Sequence, residues 1–164
     1  MSRMGVDSTE AKKKIEVTVD SGAGASCWPE KLLKDIPMGP KLKGVRLKAA
    51  NGTELKYYGT KKVKFHPREG RRRDGGKMDG ELCEMNFHVA GTTKPLAAAM
   101  AIVRLGDWIV MEDAPARSYI ANLCAGGLVL LRESGGTFVS DIDCARASAF
   151  SRRGWPRRSC GGVL

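Results

Sequence analysis

The run Ile15-Glu16-Val17-Thr18-Val19-Asp20 does most to restrict what this chain can fold into. Apolar residues at every second position specify a strand with one buried face. The pattern stops at an acid and breaks into Ser21-Gly22-Ala23-Gly24, where the glycines permit a tight loop. An acid at that place serves either as a turn former or as a working carboxylate. The isolated stretch leaves both uses open.

The same alternation recurs downstream. Val45, Leu47 and Ala49 lead into Asn51-Gly52, and Leu55, Tyr57, Gly59, Lys61 and Val63 carry the chain back. Asn-Gly between alternating runs is a strong hairpin signal. A turn or short helix is expected around Pro29–Leu33. The segment from Asn86 onward gives a strand, a Thr92-Thr93-Lys94-Pro95 turn, a short Ala-rich helix stopped by Gly106, and a strand at Trp108–Met111. A further hairpin is expected over Tyr119–Ile142, with Gly126-Gly127 and Gly135-Gly136 as punctuation. The inventory is mostly β with one short helix. No glycine-rich turn opens a long helix, so a dinucleotide-binding βαβ unit is excluded.

The expected organisation has a flexible basic leader over residues 1–13 and a core over 14–113 that carries an exposed basic insertion at 66–81. An additional β-hairpin over 114–143 and a basic, unstructured tail over 144–164 follow. At 164 residues the chain has the length of one domain. No apolar run approaches the ~20 residues that cross a bilayer, so no membrane association is expected. Cys27, Cys83, Cys124, Cys144 and Cys160 lie scattered without a C-x-x-C pair, and only His66 and His88 could join them. That set points to reduced intracellular thiols, and neither a metal nor another cofactor is expected. Half of the 28 basic residues fall at Lys12–Lys14, Lys61–Arg73 and Arg152, Arg153, Arg157 and Arg158. Read as an arm, a loop and a tail, they give at most a nonspecific, salt-sensitive attraction to nucleic acid.

Strand, Asp20-Ser21-Gly22-Ala23, hairpin, second strand, helix and final strand occur in an order that resembles the retropepsins, the retroviral-type aspartic proteases, and most closely the copia-type retrotransposon enzymes. The resemblance covers roughly Ile15 to Ile142 and rests on Asp20-Ser21-Gly22-Ala23 as a D-[ST]-G-A motif. It implies an acid-protease barrel with one short helix, a flap hairpin and an extra β-hairpin behind it. Asp20 would be catalytic, and Ser21, Gly22 and Ala23 would form the active-site loop. Ala49, Ala50, Asn51 and Gly52 would form the flap tip over substrate.

Peptide hydrolysis of this kind needs two carboxylates that share one proton. Asp74 precedes glycines but follows three arginines, and Asp141 has no glycine loop, so neither repeats the motif. The second carboxylate must come from a second copy across a two-fold axis. The resemblance thus implies a homodimeric endopeptidase of retroelement origin, cleaving a polyprotein inside the cell or within a retroelement particle. A different class also fits the sequence: a catalytically silent module of the same descent, binding partners or nucleic acid through its basic loops. Ser21, Ser26 or Cys27 as a nucleophile would need a histidine base, and His88 lies in an alternating strand that suits a structural role.

Overall fold

The computed structural model describes residues 13–72, 76, 83–113, 117–122 and 127–144. In chain order these form β1 (Lys13–Asp20), β2 (Cys27–Pro29), β3 (Met38–Gly39), β4 (Leu47–Lys48), β5 (Glu54–Leu55), β6 (Tyr57–Pro67) and β7 (Gly70–Arg72). They continue as β8 (Cys83–Ala90), β9 (Leu96–Ala98), α1 (Ala99–Arg104), β10 (Trp108–Val110), β11 (Tyr119–Asn122), β12 (Gly127–Leu130), β13 (Arg132–Ser134) and β14 (Thr137–Cys144). The protein is mostly β, with a closed six-stranded barrel at its centre.

β1 shows why. Ile15, Val17 and Val19 are buried while the residues between them are half-exposed, as the alternation requires. Each such side chain removed from water contributes about 1.5–3 kcal/mol. β1 runs antiparallel to β14 along nearly its whole length, from Lys13 opposite Cys144 to Val19 opposite Phe138. Its last three residues pair in parallel with β9, placing Asp20 opposite Ala98. The order then passes through β2, β8 and β6, and β6 closes the ring by pairing His66 with Asp143 and Pro67 with Ile142 on β14. The interior is filled by Trp28, Val63, Phe87, Ala97 and Ile142 around the β1 side chains. Trp28 is fully buried, with its ring centroid 5.1 Å from that of Phe87.

Lys61 occupies an inward position of β6 and is buried. Its Nζ donates to the carbonyl oxygen of Leu33 at 3.0 Å, and Trp28 Nε1 donates to that of Leu32 at 2.9 Å. These donors hold a turn in which Leu33 carries φ of 48°, an uncommon conformation for a branched residue. No helix forms at Pro29–Leu33; the segment is turn. Burial pushes the Lys61 pKa down, and nearby Asp35 offsets part of that effect. Gly59 sits at a register irregularity in the β6–β8 ladder, where a Cβ would stand 2.7 Å from the Gly39 carbonyl oxygen. Only glycine lets β3 approach so closely.

The organisation differs from the sequence expectation in two places. Residues 66–67 and 70–72, expected as the front of an exposed insertion, lie in strands, with Arg68 and Glu69 in the turn between them: His66 and Pro67 help close the barrel, and β7 pairs with β12. Arg71 and Arg72 therefore belong to a strand and Arg68 to the turn before it, and residues 73–75 and 77–81, with Asp74, lie outside the described residues. The stretch 114–143 is not an appended hairpin. β14 is a wall of the barrel, and β11 and β12 join β10 and β7 in a second, four-stranded sheet. The leader and the tail, apart from Lys13 and Cys144, also lie outside the described residues.

α1 forms where expected. Its alanines favour helix, Arg104 lies in the last turn, and Gly106 follows with φ of 91°. Ile102 anchors it to the core, while Met100, Val103, Leu105 and Trp108 are left exposed. No described helix is long and apolar enough to cross a membrane.

Candidate active site

Asp20 is the last residue of β1, half-buried, at the rim of the barrel. Its Oδ1 accepts the Gly22 N–H at 2.7 Å. A Cβ at Gly22 would lie 3.3 Å from that same oxygen, so glycine gives the amide room to approach. Among the described residues the other carboxylate oxygen has no hydrogen-bond partner. One oxygen is therefore fixed by the backbone while the other is free to engage a water or a second carboxyl. Ser21 is exposed and Ala23 half-buried, and among the described residues the Ser21 hydroxyl has no hydrogen-bond partner.

The loop is tied down behind Asp20 by a residue that sequence reasoning weighed only as a nucleophile. Ser26 is buried, and its Oγ accepts the Ala98 N–H at 3.0 Å. Its carbonyl accepts the His88 N–H at 2.9 Å. One residue thereby joins the end of the loop to β8 and to the residue paired with Asp20. No local signal marks this role, since the amide that Ser26 receives lies 72 residues away in sequence.

The hairpin expected around Asn51-Gly52 is present. Leu47 and Lys48 pair with Leu55 and Glu54, forming a two-stranded sheet of their own. Ala49 N–H donates to Thr53 O at 2.8 Å, and Gly52 N–H to Ala49 O at 2.9 Å. Gly52 alone at the tip has positive φ, 83°, so the loop has three residues rather than a two-residue Asn-Gly turn. Asn51 contributes its Oδ1, which accepts the Thr53 N–H at 3.0 Å. Ala50, Asn51 and Gly52 are exposed and Ala49 half-buried.

Hairpin and loop meet in one apolar cluster. Leu47, Tyr57, Cys27 and Ala90 are buried together, with Ala25, Val45 and Leu55 packed against them. Ala25 and Cys27 come from the chain leaving the Asp20 loop, and Leu47 and Leu55 are the roots of the hairpin. Burial raises the Cys27 thiol pKa, the opposite of what a nucleophilic thiolate needs. The His88 ring stands edge-on to Tyr57 at 5.6 Å, and its Nδ1 is buried without a partner among the described residues. Trp28 belongs to the core; Trp108 is 63% exposed.

Asp141 is spoken for. Arg132 donates to both its oxygens, at 2.7 and 3.0 Å, and holds its carboxyl below the usual range. Arg132 also reaches Glu16, which lies directly across from Asp141. No group of His, Cys, Asp and Glu suited to a metal ion occurs among the described residues. Comparison with models of known protein families gives no match, and no curated protein matches the sequence.

Proposed function

We propose that the chain is an aspartic endopeptidase of retropepsin type, active as a homodimer in which each copy supplies Asp20. The observation that carries the reading is the shared apolar cluster. It binds the roots of an exposed hairpin to the chain leaving a D-S-G-A loop, whose carboxylate sits at the barrel rim with one oxygen free. A hairpin mounted on the loop beneath it can close over an extended peptide without disturbing the carboxylate.

In the dimer, two Asp20 carboxyls face one water and share one proton. Like charges about 3 Å apart cannot both ionise, so the pair holds one acid and one base. The base takes a proton from the water as it attacks the peptide carbonyl, and the acid polarises that carbonyl and later protonates the leaving nitrogen. Ser21, exposed and without a partner among the described residues, is available to brace the loop of the second copy. The exposed Met100, Val103, Leu105 and Trp108 follow closely on Ala98, opposite Asp20, and offer apolar surface for that copy to cover. A polyprotein carrying the chain is the expected substrate.

The test is cleavage of a peptide library between about pH 4 and pH 7, with and without pepstatin, by the full chain and by Asp20→Asn. Cleavage that pepstatin and Asp20→Asn both abolish, and that falls at alkaline pH, is the expected result. Cleavage surviving Asp20→Asn would refute the assignment of Asp20. A folded dimer that cleaves nothing would favour the silent binding module.

A further inference from the structure

A groove opens beside the hairpin that the catalytic reading does not use. Its apolar floor is Leu47, Leu55 and Tyr57, and its rim carries Lys41, Arg46 and Lys56 against the single acid Glu54. The cations of the barrel wall are largely matched: Lys62 and Lys64 with Glu84, Arg68 with Asp143, Arg132 with Glu16 and Asp141. Among the described residues Lys41, Arg46 and Lys56 form no ion pair.

The rim is also positioned. Lys41 Nζ stands 5.7 Å from the centre of the Tyr57 ring, and Lys56 Nζ stands 5.2 Å from that of Tyr58. A ring face steadies an ammonium without consuming its N–H donors. The Tyr57 hydroxyl accepts the Leu42 N–H at 3.1 Å, pinning the segment that carries Lys41 to β6. Among the described residues the sheet of β4 and β5 has no further strand, so its outer edges can bond to an added extended segment.

We propose that this groove is a subsite for an extended peptide that presents an acidic side chain beside an apolar one. The proposal rests on the proteolytic reading for the name substrate, but its geometry does not involve Asp20. Apolar floor, cationic rim and open strand edge together suit a peptide with Asp or Glu flanked by aliphatic residues. A nucleic acid would match the charge but not the apolar floor.

The experiment uses the full chain carrying Asp20→Asn, so that bound peptide is not consumed. Two fluorescein-labelled decapeptides of leucine and alanine, one with a central Glu and one with Gln, are titrated by anisotropy. The Glu probe is expected to bind about five-fold more tightly or better, the size of effect a partly desolvated charge contact gives. Lys41→Gln, Arg46→Gln and Lys56→Gln together should erase the difference. An equal-charge set away from the groove, Lys13→Gln, Lys62→Gln and Arg104→Gln, should keep it; all six side chains are exposed, so folding is not at stake. Equal affinity for the two probes, or a preference that survives the groove set or is lost with the control set, overturns the proposal. So does a single-stranded oligonucleotide that displaces the Glu probe and depends on the same three cations. Acid-selective binding without cleavage by the unmodified chain upholds the groove and defeats the proteolytic reading; cleavage indifferent to the acid does the reverse.

Discussion

Replacing Ser26 by alanine removes one oxygen from a site that water cannot reach. Ala98, whose N–H that oxygen receives, is 0% exposed, and Ser26 itself is 4% exposed. The variant leaves the Ala98 amide buried without an acceptor, which costs about 1–3 kcal/mol. With about 2 kcal/mol as the working value, a chain of this size loses roughly 4–8 °C in Tm. Urea unfolding followed by circular dichroism measures the loss, with Ser21→Ala as control. Ser21 is exposed and should change stability by less than about 0.5 kcal/mol. Amide exchange gives a second readout, because the Ala98 N–H should exchange faster in Ser26→Ala while amides of the β1–β14 ladder keep their protection relative to global stability. Asp20 pairs with Ala98, so on the proposed proteolytic reading cleavage by the variant should fall as well. A Ser26→Ala protein within 0.5 kcal/mol of the parent, with Ala98 exchange unchanged, would refute the claim that this hydroxyl fastens the loop.

Three further outcomes are expected. Because burial lowers the Lys61 pKa, the charged form costs stability below the folded pKa, and that cost fades as pH rises toward the unfolded value near 10.4; the parent should therefore gain on Lys61→Met in urea unfolding between about pH 7 and pH 10. Asp141 is held below its ordinary pKa, so its contribution is present above about pH 4 and lost as pH falls through the folded value. Arg132→Leu should flatten that acid limb and cost about 1 kcal/mol at neutral pH, a modest figure because the arginine is half-exposed, as measured by unfolding at several pH values. Gly59→Ala should destabilise by more than the ~1 kcal/mol of a typical point substitution, since its Cβ would meet the Gly39 carbonyl; a thermal melt checks this.

What was legible in the sequence was local. The alternation of Ile15, Val17 and Val19, the loop at Asp20 and the helix ending before Gly106 each write their signal within a few residues, and the structure contains all three. The segment beginning at His66 misled because its outward residues are charged and Pro67 reads as a breaker, though Pro67 is buried against β14. Upstream, Lys61 keeps its place in the alternation of β6 and is buried, although a cation stands where an aliphatic residue would be usual. The wall formed by β14 and the bond from Ala98 to Ser26 are decided by partners far along the chain, and no local pattern records them.

The closure of β14 onto both β1 and β6 sets the order in which the protein can come into being. The first strand finds its main partner only after more than a hundred intervening residues have been made, because Lys13 lies opposite Cys144. Contacts of such long range carry a large loop-closure cost before they return any stabilisation, so folding is slow for a chain of this length. A ribosome that has released only the residues up to the end of β10 has delivered the Asp20 loop and the hairpin, yet β1 and β6 still present bare edges. Such a nascent chain is prone to pair with its neighbours, and the loop gains a rigid footing only when the last wall arrives.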